Sequence, residues 1–280
     1  MFYQKFSLSE KYPKANLTAY VSDTNLKQPL RSAIIVCPGG GYGGLSPREA
    51  EPIVMRFLGE GFNVYLLKYT TGEGAKDYAP LIQASLAVKM VRERAEEDHT
   101  DPKKIFIMGF SAGGHLAASA GILWNIPVVR DAVGVTSGEC EEGINRPDGM
   151  ILCYPVITMG PKTHKGTALL VNGHKYEEPL DVLTPEEIER FSHEKHVDST
   201  TPPAFIWHTF TDATVPVENA ILLMGALASN KIPFESHVYP EGLHGLALCN
   251  TITNEGSERL IRPHVEGWAA LAVKWIHDFF

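Results

Sequence analysis

The chain has 280 residues, of which 44% are hydrophobic, 21% charged and 9% aromatic, a composition that can bury a sizeable core and excludes a disordered or fibrous protein. A net charge of −8, with no cluster of Lys and Arg, leaves no electrostatic footprint for nucleic acid. The four cysteines stand apart with no C-x-x-C pair, which points to free thiols in a reducing compartment rather than a zinc site or a disulfide framework.

The N-terminal stretch MFYQKFSLSEKYPK lacks a basic segment followed by an apolar core, so the expectation is a cytoplasmic protein. The residues before Ser32 are expected to add one or two antiparallel strands. The apolar runs SAIIVC (32–37), FNVYLLKY (62–69), KIFIMGF (104–110), GMILCYP (149–155), AFIWHTF (204–210) and FESHVYP (234–240) then read as strands. Several are apolar throughout, as strands covered on both faces should be. Between them the pattern predicts helices over 47–60, 78–97, 113–124, 217–230 and 266–280. Strand and helix alternate without an internal repeat or linker. The expected fold is therefore a single α/β domain over 1–280, with a mostly parallel central sheet and helices on both faces.

Two regions break the alternation. Residues 128–147 are polar and Gly-rich, and residues 156–203 form a long insertion expected to build pocket walls or a small lid. Within it, Thr184, Pro185 and Glu187 are placed as a capping box. The stretch IFIMGFSAGGHLAASAGILW (105–124) imitates a membrane span, but its glycines, serines and histidine dilute the apolarity. A buried strand followed by a buried helix fits it better, and no membrane partner is expected.

The sharpest chemical signal is GFSAG, a G-x-S-x-G motif between a predicted strand and a predicted helix. A serine on so tight a turn needs glycine two residues before and after it, because side chains there would collide as the turn closes. Ser111 would then stand above the strand end, with a helix N-terminus beneath it favouring negative charge. Serine at its ordinary pKa is a weak nucleophile and needs a base, which needs an orienting acid. Asp212 follows the strand AFIWHTF, and His244 follows FESHVYP. The order Ser111, Asp212, His244 is that of the α/β-hydrolase scaffold. His208 lies within a strand and His115 one turn into the helix after the serine, so both read as structural. Asp198 precedes a strand and falls at the wrong sheet edge, and Glu241 reads as a solvated loop carboxylate.

The loop CPGGGYGGLSPRE matches two phosphate-binding patterns on paper. Leu45 stands where a P-loop needs its lysine, and Lys68 where a dinucleotide site needs an acid after the next strand. Ser46 as N-cap, Pro47 in the first turn and Glu49 completing a capping box place the glycines before the helix rather than at its opening. An oxyanion hole fits that position, with Gly40, Gly41 and Ala112 as amide donors and Tyr42 shaping the acyl pocket or simply packing.

PGGGY (38–42), GFSAGGHLAA (109–118), ILCYPVI (151–157), TPPAFIWHTFTDATVPVENA (201–220) and YPEGLHGLAL (239–248) together resemble the α/β-hydrolase superfamily. Within it they resemble the small esterases described as acetyl-xylan-esterase-like or sugar-ester hydrolases. Pro38 departs from the histidine that lipase-like relatives carry before the glycines. The resemblance implies hydrolysis of a short acyl ester, acetyl above all, from a carbohydrate or similar small alcohol, with no metal or cofactor. With no export signal, imported acetylated oligosaccharides are the expected substrates, and a homo-oligomer is left open. A peptidase or thioesterase using the same triad, and a non-catalytic binding protein on this fold, are the alternatives.

Overall fold

The structure is a computed structural model that describes residues 2–22, 28–136, 138–139 and 143–280. The apolar runs without a polar face become strands covered on both sides. In β3 (Arg31–Cys37), Ala33, Ile35 and Cys37 enter one core layer while Ile34 and Val36 enter the other. Full burial of Ile34 and Ile35 contributes roughly 2 kcal/mol each.

β1 (Phe2–Ser7) and β2 (Asn16–Val21) precede β3, and β4 (Asn63–Lys68), β5 (Thr100–Phe110), β6 (Gly149–Cys153), β7 (Ala204–Thr209) and β8 (Phe234–Tyr239) follow it. All eight join one sheet in the order β1-β2-β4-β3-β5-β6-β7-β8. β1 and β2 pair antiparallel, as does β2 with β4, and every pairing from β4 to β8 is parallel. This is the mostly parallel α/β sheet expected from the alternation of elements, and the α/β-hydrolase fold that the resemblance implies. α1 (Glu51–Leu58) and the C-terminal helix Trp268–Phe279 cover one face, with Ile53, Phe57, Trp268 and Trp275 in its core. α2 (Ala79–Glu93), α3 (Ala112–Ile122) and the helix Glu218–Ser229 cover the other, through Leu81, Val88, Leu116 and Leu223. Because β3, β5, β7 and β8 run parallel, the loops that leave them open at one sheet edge.

α3 is buried on every side, which explains its small residues and its likeness to a membrane segment. Among the described residues, no helix is long and apolar enough to cross a membrane. A Cβ on Gly113 would stand 2.1 Å from the Cys37 carbonyl oxygen, and one on Gly109 would stand 1.9 Å from that of Gly113. The predicted collision within the turn accounts for Gly109, while Gly113 is kept bare by the backbone at the end of β3.

One expected start is different. The helix predicted over 47–60 divides into a 3-10 turn, Pro47–Glu49, and α1 from Glu51. Ser46 makes no side-chain cap, and the Glu49 side chain turns inward, so the Ser46–Glu49 capping box does not form. Inside, Glu49 gains two hydrogen bonds, from the Gly39 N–H (2.8 Å) and the Tyr154 hydroxyl (2.7 Å), where a capping box would offer one at the surface. The second capping box does form, with Thr184 and Glu187 exchanging both bonds at the start of the helix Pro185–Phe191. That helix and Lys165–Val171 lie in the 156–203 insertion. Region 128–147 opens with the short helix Pro127–Val133, and residues 137 and 140–142 of it lie outside the described residues.

Candidate active site

Ser111 joins β5 to α3 in a backbone conformation of φ 55° and ψ −120°, which a side chain adopts only under strain. Its N–H donates to the Cys153 carbonyl (3.0 Å), and its own carbonyl accepts from His115 (3.0 Å) and Val156 (3.2 Å). These bonds from β6 and α3 hold the turn and keep the hydroxyl above the sheet edge.

Asp212 follows β7 with its side chain buried, and its Oδ1 accepts from the N–H groups of Thr214 (2.9 Å) and Val215 (3.0 Å). Oδ2 lies 2.6 Å from His244 Nδ1, and His244 Nε2 lies 2.7 Å from Ser111 Oγ. Burial pushes the Asp212 carboxyl up, but the hydrogen bond and charge of His244 and the two backbone N–H groups outweigh it and hold the group below its ordinary value. With a carboxylate at Nδ1, that nitrogen carries the proton and Nε2 is left to accept from the serine hydroxyl. The three residues named from sequence thus form one hydrogen-bonded line. The edge of the Tyr154 ring meets the His244 ring at 5.1 Å, fixing the imidazole from the side.

The glycine loop leaves β3 beside this line. Gly40 and Gly41 hold φ of 128° and 63°, which turns the backbone inward. Among the described residues, the N–H groups of Gly40, Gly41 and Ala112 donate to no acceptor in the chain, as donors kept for an oxyanion would.

Tyr42 is a correction as a pocket residue. Its side chain is buried, with the hydroxyl 3.0 Å from His115 Nδ1 and the ring edge-on to Tyr69 and His115, so it lies behind the cleft wall. His115 Nε2 faces the Phe191 carbonyl (3.1 Å) and must donate there, so Nδ1 accepts from Tyr42. The pair fastens the glycine loop to α3 and to the insertion. Burial, partly offset by the Phe191 carbonyl, brings His115 down to about 4, so the ring is neutral near pH 7.

Among the described residues, the rivals His208, Asp198 and Glu241 make no hydrogen bond to the serine. His208 is buried with Nδ1 accepting from the Thr209 N–H (2.9 Å), while its Nε2 has no partner among the described residues. It is a core histidine, satisfied at one nitrogen. Asp198 Oδ1 accepts from the N–H (2.8 Å) and hydroxyl (2.7 Å) of Thr200 in a turn before β7. Glu241 is exposed.

The open cleft in front of Ser111 and His244 has a volume of about 330 Å³. Sequence reasoning missed four residues on its walls: Arg48, Glu49, His164 and Tyr176. Arg48 donates to the Gly245 carbonyl (2.6 Å), next to His244, and pairs with Glu255 (3.3 Å). Glu49 bridges Gly39 to Tyr154, whose hydroxyl oxygen accepts from the Ala247 N–H (3.0 Å). His164 caps the helix Lys165–Val171, its Nδ1 accepting from the Thr167 N–H (3.2 Å). No local spacing marked Glu49, which suits a helix cap equally well; His164 and Tyr176 lie in the insertion where no period could be read.

Comparison with known proteins gives a concordant picture. The BD-FAE family model matches residues 20–227. An endo-1,4-beta-xylanase B of Butyrivibrio fibrisolvens is 40% identical over 238 residues, 84% of this chain and 35% of that protein. An acetylxylan esterase of Xylanibacter ruminicola is 28% identical over 237 residues, 83% of this chain and 44% of that protein. The chain spans less than half the length of these two relatives. Among solved structures, an acetyl ester-xyloside bifunctional hydrolase from Caldicellulosiruptor lactoaceticus is 34% identical with a TM-score of 0.76, over 94% of this chain and 88% of that one. A carboxylesterase from Lactobacillus plantarum is 26% identical with a TM-score of 0.82, over 99% and 98%.

Proposed function

The chain belongs to the BD-FAE family, and from that premise we propose that it is a serine carboxylesterase removing short acyl groups, acetyl above all, from carbohydrates. We read residues 1–280 as one α/β-hydrolase domain, since all eight strands join one sheet. The observation that carries the reading is the hydrogen-bonded line from Asp212 through His244 to Ser111 at an open cleft. The names of relatives and neighbours, acetylxylan esterase and acetyl ester-xyloside hydrolase, support the acyl group and the alcohol.

In this mechanism His244 Nε2 takes the proton of Ser111 as Oγ attacks the ester carbonyl, while Asp212 holds the imidazole and stabilises its charged form. The oxyanion collects the N–H groups of Ala112 and of Gly40 or Gly41. Collapse expels the alcohol with the proton from His244, leaving an acyl-serine. Water then attacks, His244 again takes a proton, and the carboxylic acid leaves.

The test compares Ser111→Ala, His244→Ala and Asp212→Asn with wild type on an activated acetate ester. Ser111→Ala should lose turnover and labelling by a phosphonate inhibitor together, and Asp212→Asn should lose about 10⁴ in kcat through the wrong His tautomer. Full activity in Ser111→Ala would overturn the reading.

A further inference from the structure

Tyr176 is 58% exposed, yet it lies on the wall of the catalytic cleft rather than on a remote surface. Its ring is seated on backbone: a Cβ on Gly166 would stand 2.6 Å from Tyr176 Cε2. The same Cβ would stand 3.2 Å from His164 Cε1, and a Cβ on Gly41 would stand 3.0 Å from that carbon. Gly41, His164, Gly166 and Tyr176 therefore form one continuous wall leading outward from the proposed oxyanion loop.

The turn that carries Tyr176 is held from several sides. The Lys175 N–H donates to Glu178 Oε1 (2.9 Å), and the Glu178 N–H donates to the Lys175 carbonyl (3.1 Å). His174 is fastened by its N–H to the Leu169 carbonyl (2.9 Å) and by its ring to Glu187 (3.0 Å). A large aromatic face exposed on a braced turn is preorganised and loses little freedom when something covers it. Because Thr167 donates to His164 Nδ1, His164 Nε2 carries the proton and offers a donor on the ring edge away from the helix. An apolar face beside a neutral donor suits a ring that is itself apolar on its faces and hydroxylated at its rim.

We infer that Tyr176 is the alcohol-side platform of the cleft, stacking against the face of a pyranose ring whose acyl ester is presented to Ser111. The inference rests on the sugar-ester reading and deepens it, because it assigns the preference for a carbohydrate alcohol to one side chain. A pyranose covering about 50 Å² of the ring corresponds to roughly a ten-fold gain in affinity at the usual coefficient for apolar burial.

The experiment measures steady-state kinetics of wild type, Tyr176→Ala and Tyr176→Phe on an acetylated methyl xylopyranoside and on vinyl acetate, which has no ring to stack. Tyr176→Ala should raise KM for the sugar ester about ten-fold with kcat within about two-fold of wild type, and should lower the ratio of kcat/KM on the sugar ester to kcat/KM on vinyl acetate by a similar factor. Tyr176→Phe should retain the wild-type KM, because the face and not the hydroxyl makes the contact. An unchanged sugar-ester KM in Tyr176→Ala, or an equal loss on both esters, overturns the inference while the esterase reading stands. If wild type cleaves vinyl acetate and not the sugar ester, the carbohydrate reading fails and the platform with it.

Discussion

Glu49→Gln is a severe perturbation for so small a change. Both carboxyl oxygens of Glu49 act as acceptors, one for the Gly39 N–H (2.8 Å) and the other for the Tyr154 hydroxyl (2.7 Å). The residue is buried, so neither partner can turn to solvent. Glutamine keeps one acceptor and brings an NH₂. Turned toward Gly39, the NH₂ opposes another donor. Turned toward Tyr154, it displaces the hydroxyl proton, and the oxygen already accepts from the Ala247 N–H (3.0 Å). Either way one buried donor is left unpaired, at a cost of about 1–3 kcal/mol. The Gly39 end is the one that matters for chemistry, because Gly40 and Gly41 follow it. Losing an oxyanion donor outright costs ~10²–10³ in kcat, and a loop that shifts rather than loses its donors should forfeit at least about ten-fold of that. Urea denaturation checks the stability loss, and steady-state kinetics on a short acetate ester, well below the melting temperature, check kcat against KM. A drop in kcat with KM little changed is expected. A variant destabilised as predicted but with kcat within about two-fold of wild type would refute the tie between Glu49 and the oxyanion loop.

Two glycine-to-alanine changes should move stability in opposite directions. Gly113→Ala drives a methyl to 2.1 Å from the Cys37 carbonyl oxygen and 2.4 Å from that of Pro38, both fixed backbone, and should cost more than about 3 kcal/mol by urea denaturation. Gly225→Ala lies in the exposed middle of the helix Glu218–Ser229, where the methyl meets nothing within 4 Å, and should add about 0.5–1 kcal/mol in the same assay. Stability should also fall with acid. The His115 ring sits at about 4 when folded and at its ordinary 6.5 when unfolded, so between these values the unfolded chain binds the extra proton. The contribution is whole above pH ~6.5 and about 3 kcal/mol of it is gone below pH ~4, with the buried His193, also held low, adding in the same direction. Denaturation curves at several pH values across that window check this, and His115→Gln should flatten the slope; a slope equal to that of wild type would contradict it. Tyr42→Phe removes the hydroxyl donor to His115 Nδ1, leaves a buried acceptor unpaired, and should cost about 1–2 kcal/mol by the same measurement.

What could be read from the sequence was whatever chemistry requires at short range. Gly109 of GFSAG is demanded by a backbone contact across four residues, visible in the gap between a Gly109 Cβ and the Gly113 carbonyl, whereas Gly113 is demanded by the distant carbonyls of Cys37 and Pro38. Asp212 and His244 could be placed because a parallel sheet brings the ends of β7 and β8 to one edge, whatever the loops between them do. The same reasoning fails for residues whose partners are distant in sequence and whose local pattern has a simpler use. Ser46, Pro47 and Glu49 spell a helix start, and the start is nearly there, but Tyr154 lies 105 residues away and competes for the carboxyl group. Tyr42 beside three glycines reads as a pocket residue or a packing one until His115, 73 residues on, takes its hydroxyl and decides for packing.

Glu49 and Tyr42 share one physical circumstance. The glycine loop turns on its own backbone bonds, from the Gly43 (3.0 Å) and Gly44 (3.2 Å) N–H groups to the Gly40 carbonyl and from the Ser46 N–H to the Gly39 carbonyl (2.9 Å), and with no side chains on its glycines it takes its side-chain anchors from outside, Glu49 at Gly39 and His115 at Tyr42. Both anchors are buried polar groups, and burial makes each worth more when paired and costly when broken. The N–H groups of Gly40 and Gly41 lie between them, without acceptors among the described residues. An arrangement in which the flanks are fastened and the middle left unpaired is what stabilising a transient charge requires, since donors already satisfied would have to break bonds first. In the mechanism we propose, the two anchors thus belong to the chemistry of the site as much as the glycines do, although neither needs to touch the substrate.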